Sequence, residues 1–194
     1  GKPEDARAHV LGVALERGDV ADFHLHDYYQ LLANGQIDLY VGDGDGALAR
    51  VERAWKELDR ALLLRIQTIR VEAGFLLGRA ALASRRTDAI AIAQRAVAGL
   101  RKEHVGWADA LAALLAGGIE IAVDRPERAI AALTTAETLC DKAAMPLHVQ
   151  VARLARGELR GAAGARERAA AVAWMTDQTI ADPVAFSRML LPRD

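Results

Sequence analysis

Residues 114–136 read LLAGGIEIAVDRPERAIAALTTA, and the spacing of their small residues decides the fold. Gly117 is followed twelve residues later by Ala129, and seven after that by Ala136. The same offsets recur in LANGQIDLYVGDGDGALARVERA (32–54) at Gly35, Ala47 and Ala54. They recur again in LARGELRGAAGARERAAAVAWMT (154–176) at Gly157, Ala169 and Thr176. A fourth copy runs through Leu77, with Gly78 beside it, to Ala89 and Ala96. A period near 40, returning four times, is the mark of a helical repeat. A small residue late in one helix and another early in the next let two backbones cross closely. Small residues at i and i+7 then keep the inner stripe of the second helix thin.

Composition points the same way. Alanine makes up about a fifth of the 194 residues, and arginine supplies nearly all the positive charge. Both are strong helix formers, while the β-branched and aromatic residues that a sheet needs are scarce. With 52% hydrophobic residues and a net charge of −1, the chain has ample core material and is not a disordered tail. It lacks the positive excess that binding to a phosphate backbone requires, so nucleic acid is not an expected partner. Arginines break the longest apolar runs, so no segment is expected to enter a membrane. The single cysteine, Cys140, excludes an internal disulfide and a multi-cysteine zinc site, and suits a reduced, cytoplasmic setting.

Turn residues divide the chain. Gly42-Asp43-Gly44-Asp45-Gly46, Ser84 to Thr87, Asp124 to Glu127 and Gly161 to Gly164 punctuate it. Asp45, Thr87 and Asp124 are expected helix N-caps, and Pro126 suits a first helical turn. The resulting map has a leading helix near 4–18, then hairpins near 21–60, 61–102, 106–143 and 146–179. A short capping helix follows, begun by Asp182 and Pro183 and carrying Phe186, Met189 and Leu190. Four hairpins that cannot each bury an apolar face are expected to stack into one all-α solenoid over residues 1–194. The start at Gly1-Lys2-Pro3-Glu4, without Met, predicts a piece of a longer protein with Gly1 as a tag remnant.

The small-residue offsets resemble the tetratricopeptide repeat (TPR), though with a longer period than that family's and without its closing proline. A further resemblance lies in QIDLYVGDGDGALARVERAWKELDRALLLRIQTIRVEAGFLLGRAALA (36–83), MPLHVQVARLARGELRGAAG (145–164) and AVAWMTDQTIADPVAFSRMLLP (171–192). These stretches look like the TPR-like C-terminal region of myxobacterial-type, multidomain bacterial serine/threonine protein kinases. The resemblance implies a non-catalytic protein-interaction, autoregulatory or sensor domain. Its partner would be a protein or peptide, the parent's own kinase domain included, and a homo-oligomer stays open. Two alternatives stay open as well. One is the helical sensor arm of an ATPase-type transcriptional regulator, and the other is a free-standing TPR adaptor.

No catalytic motif of a kinase and no phosphate-binding loop occurs, so this segment is not expected to be an enzyme or to hold a cofactor. The Asp/Gly run at 42–46 lacks the later oxygen donors of a calcium loop, with Ala47 and Ala54 at those places, and reads as a tight turn. His24 and His26 lie two apart, a spacing that cannot converge on one ion from a helix. The expected partner surface therefore combines two features. Inner-face positions of the first hairpin are Tyr29, Leu32, Gln36 and Leu39, with Tyr40 beside them; Val71 and Gly74 follow in the second. Arg153, Arg156 and Arg160, spaced by three and four, form a basic face suited to an acidic group.

Overall fold

A computed structural model describes residues 2–17 and 23–193. The end of the expected leading helix at Gly18, and the expected start of the first hairpin at Ala21, lie outside them. Among the described residues the chain is all-helical: α1 (Pro3–Arg17), α2 (Leu25–Tyr40), α3 (Gly44–Arg60), α4 (Gln67–Ala83), α5 (Ala89–Arg101), α6 (Gly106–Ala122), α7 (Pro126–Lys142), α8 (Pro146–Leu159), α9 (Ala165–Asp177) and α10 (Pro183–Leu190). Short 3-10 turns at Leu63–Arg65 and Gly161–Gly164 join α3 to α4 and α8 to α9. Helices adjacent in sequence pack on one another, as α2 on α3, α4 on α5, α6 on α7 and α8 on α9. The first helices of successive pairs also meet, α2 on α4 and α4 on α6. One apolar cluster runs from Tyr28 to Leu191.

The second helices carry a shared buried stripe at i, i+4, i+7 and i+11. It reads Ala47, Val51, the half-buried Ala54 and Leu58 in α3, then Ala89, Ala93, Ala96 and Leu100 in α5, then Ala129, Leu133, Ala136 and Cys140 in α7. Small residues at two of the four places let the first helix of each pair lie close. In the fourth pair the stripe is Gly164, the half-buried Arg168, Ala171 and Met175, and the expected Ala169 and Thr176 are exposed. The turn is shorter there: Gly164 follows Gly157 by seven residues, where Ala129 follows Gly117 by twelve. A Cβ on Gly164 would stand 2.0 Å from the Gly157 carbonyl oxygen, so this contact is backbone against backbone.

Seven helix ends share a device that the caps expected from sequence do not capture. A residue with left-handed φ closes α2 at Gly42, α3 at Leu62, α5 at His104, α6 at Asp124, α7 at Ala144, α8 at Gly161 and α9 at Thr179. Behind four of them the next backbone N–H reaches back to a carbonyl five residues earlier: Asp43 to Asp38, Arg125 to Glu120, Met145 to Cys140 and Ile180 to Met175. Asp124 is thus a helix-ending residue, and Arg125 occupies the N-cap position of α7. Asp43 caps α3 by accepting from the Gly46 N–H, while Asp45 lies inside α3 and accepts from the Arg85 N–H of the next pair. Thr87 stands outside α5, whose N-cap position is Asp88. Pro126 opens α7 as expected, and Asp182 caps α10 by accepting from the Ala185 N–H.

The final helix lies elsewhere than at one end. It packs on α8 and α9 but also on α2. Leu191, just beyond it, is fully buried and meets Leu82 of α4 over Gly118 of α6, where a Cβ would stand 2.8 Å from either leucine. The tail therefore lies over the first helices of all four pairs.

Two glycine exchanges test this backbone account in opposite directions. Gly164→Ala is expected to lower unfolding free energy by about 2 kcal/mol or more, because backbone must move to admit the Cβ. Ala144→Gly, at φ +54, is expected to raise it by about 1 kcal/mol by relieving a left-handed alanine. Urea unfolding followed by tryptophan fluorescence measures both.

Candidate interaction face and its buried arginine

The face formed by α2, α4, α6 and α8 holds the chain's most unusual chemistry. Within 73–83, AGFLLGRAALA, the lone charged residue is Arg79, and it is only 3% exposed. Its guanidinium lies 4.5 Å from the centroid of the Phe75 ring, one helical turn earlier. Its Nη1 donates 3.1 Å to the carbonyl oxygen of Met189 in α10. Among the described residues no carboxylate pairs with it, and its Nε is buried without a partner. Burial without a counter-ion lowers the Arg79 pKa to about 10.

A cavity of about 330 Å³ opens beside this guanidinium, lined by Phe75, Trp107, Leu111, Met145, His148 and Leu190, together with Leu32, Gln36 and Glu72. Burial, and then the Arg79 charge, push the His148 imidazole down to about 4, so it is neutral at ordinary pH. At the other end Tyr28 donates its hydroxyl to the Glu72 carboxylate, linking α2 to α4. Burial first, then this acceptor, raise the Tyr28 pKa well above the usual phenol range. Glu72 and Arg79 are seven residues apart on α4, so opposite charges mark the two ends of one stripe about 10 Å long.

Larger hollows lie elsewhere. One of about 550 Å³ separates α1 and α2 from residues 179–189, with Gln36 and Tyr40 on its wall. Another of about 520 Å³ lies among α3, α4 and α5, beside Trp55 and the Arg70–Glu103 ion pair.

The residues expected at the partner surface divide. Tyr29 is exposed, Leu32 and Gln36 line the smaller cavity, and Tyr40 is half-buried. Leu39 is buried and stands at the wall of a further hollow of about 420 Å³, beside Leu82 and Arg193; Val71 is buried too, and Gly74 faces Leu100 of α5. The arginines are committed to partners within the chain. Arg153 donates to Glu137, Arg160 pairs with Glu167 at 3.3 Å, and the nearly buried Arg156 bridges Glu137, Glu167 and Thr134, tying α7, α8 and α9 together. Burial would raise the Glu137 carboxyl, but Arg153 and Arg156 outweigh it and hold it below the usual range. Glu72, Phe75, Arg79, Trp107 and His148 are the site residues that sequence spacing missed. The signal available was Arg79 itself, a single charge inside an apolar helix.

Cys140 is buried, and burial pushes its thiol up to about 11. Among the described residues no three His, Cys, Asp or Glu side chains are placed to hold a metal. No helix of the described residues is long and apolar enough to cross a membrane. No family model, no curated protein and no solved structure matches the chain.

The His148 environment gives a pH dependence of definite sign. The unfolded imidazole protonates near 6.5 and the native one near 4. Its contribution is therefore fully present above pH 6.5 and is lost as the pH falls through 4, about 3 kcal/mol in all. His148→Gln is expected to flatten stability between pH 7 and 4, as read by urea unfolding at each pH. An unchanged slope would contradict the buried, neutral imidazole.

Proposed function

We propose that the chain is a non-catalytic regulatory module, a TPR-like α-solenoid whose first-helix face receives an amphipathic segment. The single observation that carries this reading is the placement of 183–193, which lies on that face as a bound segment would. Its apolar side holds Met189, Leu190 and Leu191, all buried. Arg193 adds polar anchors, donating to Glu158 of α8 and to the Ser187 hydroxyl. Such helix-in-groove contacts take affinity from apolar burial and register from a few polar groups. The resemblance to the C-terminal regions of bacterial serine/threonine protein kinases supports reading the parent as a cytoplasmic signalling protein. There a partner segment of similar chemistry, the parent kinase domain's included, would compete with 183–193. Regulation would follow because the tail and the partner cannot hold one face together.

Competition is measurable. A labelled peptide of residues 181–194 is expected to bind the Leu191→Asp variant, whose own tail is loosened by a buried charge. It should bind the unmodified chain at least ten times more weakly, since the tethered tail acts at a high effective concentration. A Leu191→Asp chain of unchanged helicity that ignores the peptide would sink the proposal.

A further inference from the structure

We propose that the cavity beside Arg79 is a binding site for a small organic carboxylate with a single-ring or branched apolar body. The first ground is the guanidinium. A cation removed from water is strongly unfavourable unless an opposite charge meets it, and arginine's fork suits a carboxylate. Among the described residues Arg79 has only the Met189 carbonyl and the Phe75 ring, and its Nε is left without an acceptor. The second ground is the space. The roughly 330 Å³ next to this group is at the small end of ligand pockets, and its wall is mostly aromatic and aliphatic.

The wall also limits what enters. Phe75, Trp107, Leu111 and Met145 offer an apolar surface for a ring, while the neutral His148 adds no second cation. Glu72, at the far end of the α4 stripe, repels a second negative charge and accepts a hydrogen bond. A monocarboxylate fits this arrangement, and a phosphate or a dicarboxylate does not. Leu190 lines the same cavity and the Met189 carbonyl takes Arg79 Nη1, so a ligand would lie against the docked tail. Binding would brace the α10 position without requiring its release, so the site stands independently of the competition proposed above.

Calorimetric titration of the full chain tests the site with phenylacetate, phenylacetamide and inorganic phosphate as probes. Phenylacetate is expected to bind saturably, with the amide and phosphate at least tenfold weaker. Arg79→Leu should remove phenylacetate binding while leaving helicity intact, because the arginine is replaced by an apolar group of its buried surroundings. Equal binding of acid and amide, tighter binding of phosphate, or no saturable binding of phenylacetate would each overturn the assignment. These comparisons on the unmodified chain decide the question even if Arg79→Leu does not fold.

Discussion

A guanidinium sealed inside a helical array without a counter-ion is the constraint on which the rest of this structure turns. Arg79 sits on α4, which neighbours pack from several sides, so the charge cannot reach water by shifting its helix. The chain offsets the burial with weaker substitutes, an aromatic face and one backbone carbonyl. The carbonyl belongs to Met189, 110 residues further along. The tail thus has an electrostatic reason to return across the first helices, besides the apolar burial of Leu191. The same charge adds to burial in keeping His148 neutral, so the cavity gains no second cation.

Close backbone approach makes that return possible. Gly118 leaves room for Leu82 and Leu191 to meet, and Gly44 brings the start of α3 against the end of α4, where a Cβ would stand 2.1 Å from the Ala83 carbonyl oxygen. Around this core, side-chain ions act as ties between neighbouring elements. Asp38, nearly fully buried, accepts from Arg7 of α1 and Arg50 of α3, and Arg156 holds two carboxylates between α7 and α9. Partly buried and mutually satisfied, these pairs fix how the elements sit more than they add stability.

Much of the helical framework was legible in the sequence because small-residue spacing encodes helix crossing, and crossing distance is what distinguishes Gly117 from a leucine. The fourth copy misled because offsets were carried across a shortened turn: the stripe moved to Ala171 and Met175 while Ala169 turned outward. Caps misled for a related reason. Asp124 looks like an N-cap, yet it holds the left-handed closing position of the preceding helix, and local sequence does not separate two roles that fall on adjacent residues. The interaction face was the least legible part. Sequence periodicity says which residues share a face, not which distant segment covers it. Arg153 and Arg156 of α8 and Arg160 at its C-terminal end do lie together, but carboxylates from α7 and α9 meet them there. Arg79 carried the decisive information in a single residue type, which no spacing rule weighs.

The docking of 183–193 onto the first-helix face is the central claim, and methyl NMR tests it most directly. With leucine methyl groups labelled in the full chain, cross-relaxation is expected between Leu191 and Leu82, with Leu191 also close to the Gly118 α-protons. Leu191 methyl signals at random-coil shifts, with no contact to Leu82, would contradict it.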